Sequence, residues 1–437
     1  MTALTPIGSH EAERPGRPSP PLRRIPAYRR LWSAVAISET GDWLLFIALP
    51  IYVLQASGSA LSTSTVFLAE LVPAVVVGSL CGPVIDRSNP ARLLTVLTSL
   101  QAVALLPLLW LSPDRLWMAY VVAGVQAAFT GISAPAQQAV IPFVVPPDQL
   151  TRANGIAQIA GNTARLAGAP LGGLLLPVLG LGGLVLADIA SFLLSAALLA
   201  GCQRTAQRAP SAEQSPAIGR FAAIGEGWHV VRRDPTLTAA LLISFVGAVA
   251  QGLFLVLFVL FVLRLLGAGD QVVGLLRGVQ AIGGVLGGLV VAASAKRIGA
   301  RGLTICGLAA FGVVSLLTWN SPAITDRTWW YAALFIAVGV PATAATTGLL
   351  TGTQRAAPPR VLGRVLSLLG VTEALGQGTG ILLAGMLSSS VSLTLLLDAQ
   401  ASLYLACALV ASTSFAAVHP REFGLSRSPG ARVAARR

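Results

Sequence analysis

Six ionisable side chains lie inside long apolar stretches of this sequence. They are the acids Glu39, Asp42, Glu70 and Glu373 and the bases Arg165 and Arg277. A charged side chain at the centre of a lipid bilayer costs at least about 2.5–3.5 kcal/mol, so such residues usually serve a function. Burial favours the neutral form of a carboxyl group, whereas a nearby arginine favours its charged form. This competition suits groups that bind and release protons as their surroundings change.

Asp42 is the first candidate for a proton site. It lies about 11 residues, or roughly 17 Å of helix, from the start of its apolar stretch, which is near the middle of a membrane. Glu39 precedes it by three residues, so both side chains share one helix face and Glu39 can relay protons to water. Two alternatives stay open: Asp42 as a structural hydrogen-bond partner, and Glu39 as a hydrated residue at the mouth of the helix bundle.

Glu70 and Glu373 are the next candidates for proton coupling. Each lies near the middle of its own apolar stretch, as Arg165 does, whereas Arg277 lies toward one end of its stretch. Acids and bases inside membrane proteins commonly pair with one another. We therefore expect Glu70 and Glu373 to accept hydrogen bonds from Arg165 or Arg277 across an interface.

The composition places these residues in a polytopic membrane protein. Of 437 residues, 54% are hydrophobic and 11% are charged, whereas soluble domains carry about 25% charged residues. A membrane helix needs about 20 apolar residues. Twelve stretches meet this requirement: 31–55, 62–84, 92–112, 116–142, 151–179, 183–202, 237–265, 271–294, 302–320, 328–354, 363–388 and 392–417.

Polar segments divide the chain into two helical halves, and the basic residues orient it. We expect a disordered tail, a six-helix bundle, a linker with an amphipathic helix at 218–233, a second six-helix bundle and a basic tail, at 1–28, 29–202, 203–235, 236–418 and 419–437. With both termini in the cytoplasm, 25 of the 30 lysines and arginines lie on the cytoplasmic side and three outside. Basic residues concentrate in cytoplasmic loops, so this orientation is predicted. The net charge of +13 is explained by these loops and does not require nucleic acid.

The two halves carry related polar positions. Four positions recur 210 to 212 residues later: Glu70 as Gln280, Arg87 as Arg297, Arg152 as Arg364, and Asp188 as Asp398. Internal repeats of this kind are typical of secondary transporters. We expect Asp188 and Asp398, near the outer ends of helices six and twelve, to be structural.

A loop motif follows the second apolar stretch. The run Gly-Pro-Val-Ile-Asp-Arg-Ser-Asn-Pro-Ala-Arg from Gly82 to Arg92 resembles the motif G-x-x-x-D-R-x-x-x-R-R of the major facilitator superfamily, with one of its two terminal arginines kept as Arg92. The resemblance implies a gating role for Asp86, Arg87 and Arg92, in which Asp86 holds the two halves together in one state through a helix N-terminus or an arginine. The alternative is a solvated turn with positive charge on the cytoplasmic side.

Other segments narrow the resemblance. Residues 39–50, 142–155 and 188–192 look like the branch that contains macrolide-efflux and enterobactin-exporter-like permeases, and the likeness covers about 30–420. It implies an all-α membrane protein with twelve transmembrane helices in two pseudo-symmetric six-helix bundles. It also implies export by alternating access, driven by protons, with no nucleotide or metal cofactor. Gly168 to Gly173 resembles the antiporter motif of drug exporters. Similar rows of small residues, expected to pack between the halves, are Gly284 with Gly288 and Gly376 with Gly380 and Ala384.

The residues that contact the substrate are predicted from the helices that line the central cavity in this family. The aromatic and amide side chains that we expect there are Trp43, Phe46, Gln126, Gln251, Phe254, Gln280 and Tyr331. Such a wall suits a hydrophobic or amphipathic small molecule such as a drug. A siderophore or another secondary metabolite is an alternative cargo.

Other classes of protein lack support in the sequence. No phosphate-binding loop, paired histidines or nucleophile elbow is present, and the four cysteines are far apart, which argues against an ATP-driven pump, an enzyme or a metal site. The expected partners are protons, a small-molecule substrate and the lipid of the inner (plasma) membrane. A membrane sensor or scaffold without transport is the alternative from another class, and it predicts that the intramembrane carboxylates are dispensable.

Overall fold

The computed structural model describes residues 22–81, 88–146, 149–201, 228, 230–358 and 361–414. These residues form an all-α protein whose long helices run α1 (Pro26–Ser57), α2 (Ala60–Leu80), α3 (Pro90–Leu105), α4 (Trp117–Val144), α5 and α6 (the two arms of Leu150–Ala200), α7 (Pro235–Leu260), α8 and α9 (the two arms of Asp270–Asn320), α10 (Thr328–Ala356), α11 (Leu362–Leu387) and α12 (Leu393–Ser414). Residues 1–21, the C-terminal tail, Asp86, Arg87 and most of the predicted amphipathic helix lie outside the described residues. The end of the predicted disordered tail, 22–28, is instead helical, and Leu22 and Tyr28 are buried.

Eleven helical segments of the described chain are long and apolar enough to cross a membrane. The longest, Ala160–Ala200, has 41 residues and holds two crossings, which brings the crossings to the predicted twelve. It bends at Gly180, and the α8–α9 pair bends at Gly299. Their φ angles are 63° and 69°, in a region that glycine adopts without the steric penalty of other residues. Each bend reverses the chain without a loop, so the arms become antiparallel neighbours.

The helices form two halves, α1–α6 and α7–α12, which we call the N half and the C half. The halves meet where α5 packs on α8 and α2 packs on α11, as the sequence predicted. One end of the bundle carries the α1–α2 turn at Gly58, and we call it the Gly58 end. The opposite end, where the Arg30 guanidinium donates to the Gly201 carbonyl at 3.0 Å, is the Arg30 end.

The two halves are joined mainly near the Gly58 end. Gln55 Nε2 donates to Asp270 Oδ1 at 2.8 Å, and Arg264 donates to the Gly58 carbonyl at 2.7 Å. Deeper in the bundle, Gly173 of α5 lies against the backbone of Gly274 in α8. Both glycines are required here because a Cβ on either would overlap a backbone atom of the other helix.

Toward the Arg30 end, α8 has no close partner along part of its surface. A Cβ on Gly284 or Gly288 would have no neighbour within 4 Å, and Leu289 is 65% exposed. The prediction that Gly284 and Gly288 pack between the halves is therefore wrong for this conformation, because the described contacts between α5 and α8 lie nearer the Gly58 end. The bundle is closed at the Gly58 end and open toward the Arg30 end.

Candidate functional site

Asp42 lies near the midpoint of the 32-residue helix α1, between two cavities of the N half. The first, which we call the entrance cavity, has a volume of about 430 Å³ and is lined by the Arg30 half of α1 with α4 and α5. The second, the inner cavity, has about 250 Å³ and extends toward the Gly58 end. The Asp42 side chain is exposed to these cavities. Asp42 is therefore accessible from both cavities.

Three further carboxyl groups lie near Asp42. Glu39 lines the entrance cavity, and Glu70 and Asp188 line the inner cavity. All three lie close enough to repel a negative charge on Asp42. Because such charges repel strongly in an apolar interior, a proton bound within the group lowers its electrostatic energy. The arrangement can hold and exchange protons.

Asp188 belongs to this cluster, although the sequence indicated a structural role near the outer end of helix six. Its side chain is 1% exposed and accepts a hydrogen bond from Ser191 Oγ at 3.0 Å. It lies directly against Gly41, where a Cβ would overlap the Asp188 carboxylate. Asp188 is eight residues beyond the bend at Gly180, about 12 Å along the helix axis, which brings it level with the middle of α1. The glycine beside Asp42 was the available signal, since it marks a close approach.

Arg165 and Arg277 meet between the two halves without a carboxylate. Both donate to Gln280 Oε1, Arg277 at 3.4 Å. Arg165 also stacks on Trp43 at 5.0 Å, and Arg277 stacks on Phe254 at the same distance. Such contacts stabilise cations by about 0.5–2 kcal/mol.

The predicted pairing of these arginines with Glu70 and Glu373 is therefore wrong in this conformation. Neither acid lies within 4.0 Å of a basic nitrogen in the part of the chain that the structure describes. Glu70 faces the inner cavity of the N half, and Glu373 faces a cavity within the C half. Gln280, which the sequence indicated as a substrate contact, instead joins the two arginines.

The predicted gating loop is only partly described. Arg92 is exposed in the first turn of α3, where its backbone N–H donates to Asn89 Oδ1 at 3.1 Å. Asn89 thus caps the N-terminus of α3. The gating role of Arg92, like that of Asp86 and Arg87, stays a prediction.

A third cavity of about 360 Å³ lies inside the C half, between α7 and α9–α12. It contains Glu373 and Gln251 together with Gln377. The buried Ser244 hydroxyl lies beside the Glu373 carboxylate, without the geometry of a hydrogen bond. We call this space the C-half cavity.

The predicted substrate contacts are spread over these spaces. Trp43 lines the entrance cavity, and Phe46 and Gln126 line the inner cavity. The amide nitrogen of Gln126 is already engaged, because it donates to the Gln101 carbonyl at 2.8 Å. Phe254 is 7% exposed and borders a space of about 20 Å³, beside Gln280.

Tyr331 does not fit its predicted place in a substrate cavity. It is fully buried, packs on Phe261 and donates its hydroxyl proton to the Thr325 carbonyl at 2.7 Å. This contact anchors the start of α10 at the Gly58 end. Among the described residues, no three or more histidine, cysteine, aspartate or glutamate side chains form a group suited to a metal ion.

Comparison with known proteins identifies transporters in each case. The family model of the Major Facilitator Superfamily matches residues 31–264 and 240–435. Multidrug efflux pump Tap of Mycolicibacterium fortuitum is 25% identical over 85% of this chain and 91% of its own length. Macrolide efflux protein A of Streptococcus pyogenes is 25% identical over 49% of this chain and 53% of its own length. The uncharacterized transporter YfiS of Bacillus subtilis is 26% identical over 52% of this chain and 54% of its own length.

The chain thus spans about half the length of two of these relatives. Solved structures share its fold at lower identity. A bacterial homologue of the iron transporter ferroportin in an inward-facing state has a TM-score of 0.66 at 17% identity, covering 91% of this chain and 98% of that one. The nucleoside transporter NupG has a TM-score of 0.72 at 12% identity, covering 89% and 99%.

Proposed function

The chain belongs to the major facilitator superfamily, and on this premise we propose that it is a proton-coupled exporter of hydrophobic or amphipathic small molecules. The observation that carries the proposal is the cluster of carboxyl groups around Asp42. Asp42 and Glu39 lie near the middle of α1, and the entrance cavity beside them is lined by the Arg30 half of that helix. Protons are taken up and released there as the two halves rock between opposite openings.

The contacts between the halves support a cycle of this kind. The Gln55–Asp270 and Arg264–Gly58 hydrogen bonds close the Gly58 end, and each is a single polar contact that water can replace when that end opens. The shared amide oxygen of Gln280 joins α5 to α8 between the two ends. Arg165 also lines the entrance cavity, together with Asp42. A change in the charge of Asp42 can therefore alter the hydrogen bond between Arg165 and Gln280.

The names of two relatives favour efflux over uptake. Macrolide efflux protein A and multidrug efflux pump Tap are named for the export of drugs. The C-half cavity, with mostly apolar walls and a few polar groups, suits a drug-sized molecule. Asp42 and Glu39 are assigned to proton exchange, with Glu70 and Asp188 as neighbours that tune it.

We assign the protein to the inner (plasma) membrane with both termini and the Arg30 end in the cytoplasm. The distribution of basic residues predicts this orientation. Tags inserted at 57–59 and at 266–270 are expected to react with an impermeant reagent in intact cells, whereas a tag at 210–216 reacts only after lysis. Labelling of 210–216 in intact cells contradicts the assignment.

Uptake into inverted membrane vesicles tests the function. In vesicles with an acidic interior, the protein is expected to accumulate an amphipathic drug from a panel that includes macrolides and siderophores, at least about tenfold above vesicles without it. Collapse of the pH gradient by nigericin should remove the accumulation. Accumulation that survives nigericin argues against proton coupling. An absence of transport for the whole panel favours a sensor or scaffold.

A further inference from the structure

The C-half cavity contains a single charged side chain in a mostly apolar wall. Its volume of about 360 Å³ is that of a site for a drug-sized molecule, and most of its wall is apolar and includes the rings of Phe311 and Tyr404. Among its fourteen lining residues, Glu373 is the only charged side chain. The cavity therefore combines an apolar interior with a single negative charge.

This charge has no counter-charge in the described part of the chain. No basic nitrogen lies within 4.0 Å of Glu373 there. The two intramembrane arginines donate to Gln280, and neither of them lines this cavity. A negative charge beside an apolar wall attracts a cation more strongly than it would in bulk water. Glu373 is exposed to this space, so its carboxylate is accessible to a ligand. The Ser244 hydroxyl next to it is buried and has no hydrogen-bond partner in the described chain, so a polar group is also available for a ligand.

The entrance cavity of the N half is less suited to a lipophilic cation than the C-half cavity is. Its entrance cavity contains Arg165 as well as acids, and polar side chains such as Asn162 and Gln137 line it. A cation with a bulky apolar body is disfavoured beside Arg165, and the polar wall gains little from contact with that body. The C-half cavity has neither feature.

We propose that the C-half cavity binds lipophilic cations, with the carboxylate of Glu373 facing the positive charge and the apolar wall holding the rest of the molecule. The inference rests on the proposed export function and names the substrate class. It assigns Glu373 to substrate recognition and leaves proton exchange to the Asp42 cluster. The sequence alone could not separate these roles, because all four intramembrane acids look alike in it.

The packing of α11 fits a substrate site that the transport cycle can open and close. Gly376 and Gly380 lie against the backbone of α7 at Phe245 and Val249, within the C half. The prediction that this row packs between the halves is therefore wrong in this conformation, and the segment next to Glu373 is held within the C half. Gly378, on another face of α11, approaches Leu71 of α2 in the N half. The bound cation would therefore lie close to the interface along which the halves move.

Equilibrium binding without any gradient tests the proposal. The purified full-length protein is titrated with tetraphenylphosphonium and with tetraphenylborate, ions of nearly the same shape and opposite charge. We expect the cation to bind, the anion not to bind, and Glu373→Gln to weaken cation binding by at least about tenfold. Glu373→Asp should keep most of the binding, and Asp398→Asn, an acid outside the cavity, should leave it unchanged.

A second variant leaves Glu373 in place. Gln377→Arg puts a positive charge one helical turn from Glu373, where it can pair with the carboxylate, and should abolish cation binding. Binding that is unchanged in Glu373→Gln, that is lost only in Asp42→Asn, or that is equal for both ions overturns the proposal, as does an absence of cation binding. If another drug is exported along the gradient but no cation binds, only the inference about the C-half cavity is refuted. If cation binding depends on Glu373 but no gradient-driven export occurs, only the proposed proton coupling is refuted.

Discussion

Replacement of Asp42 by asparagine is expected to abolish uphill export and to leave exchange of substrate across the membrane intact. Asparagine has the shape of the protonated acid but cannot release a proton, so the protein should still alternate between its two openings. The link between the pH gradient and the direction of transport is then lost. We expect gradient-driven accumulation to fall by at least about tenfold.

Two measurements in the same vesicles separate coupling from structure. Counterflow of a labelled substrate reports exchange, and accumulation under a pH gradient reports coupling. Asp398→Asn is the matched control, since Asp398 is the C-half counterpart of Asp188, lines neither cavity beside Asp42 and accepts a hydrogen bond from Asn320 at 2.7 Å that asparagine can keep. Loss of both activities in Asp42→Asn indicates a structural role for Asp42, and retention of both moves the proton site to another acid.

Gly274→Val is expected to favour opening of the Gly58 end and to reduce transport at least about tenfold. A Cβ at this position would overlap the Ala169 carbonyl of α5 and come within 3.0 Å of the Gly173 nitrogen. Both are backbone atoms, so the strain is relieved only when α5 and α8 separate. Overpacking of this kind costs about 1–3 kcal/mol, and 1.4 kcal/mol shifts an equilibrium tenfold.

Gly283→Val provides the matched control on the same helix. Its side chain would meet the backbone of α10 at Ile336 and Gly339, a contact within the C half that does not open during the cycle. We expect this variant to lower the melting temperature without changing which end is open. The readout is the reaction of Gln55→Cys with an impermeant maleimide. This reporter is introduced into the wild type and into both variants, so the lost contact with Asp270 is common to all three, and the reaction should be faster in Gly274→Val only. Equal rates in both variants would contradict the assignment of α5 and α8 as a moving contact. If the valine variant does not fold, Gly274→Ala gives the same comparison with a smaller strain.

Several features of this protein were predictable from local sequence. The twelve crossings follow from hydropathy, because each apolar segment must be long enough to span the bilayer whatever its neighbours are. The gap between the fifth and sixth apolar stretches falls where Gly180 bends the helix. The placement of Asp42 near mid-membrane needed only the helix rise and the position of the first apolar residue.

The partners of the charged side chains depended on tertiary structure. Arg165 and Arg277 share Gln280 instead of pairing with acids, and Asp188 joins the Asp42 cluster through a close approach at Gly41. Tyr331 is buried although its apolar helix would suit a cavity wall equally well. Which side chains face each other depends on the rotation and tilt of each helix, and these are set by packing between helices that are distant in sequence. Local sequence therefore determined which segments cross the membrane, and only the tertiary packing determined which residues meet inside it.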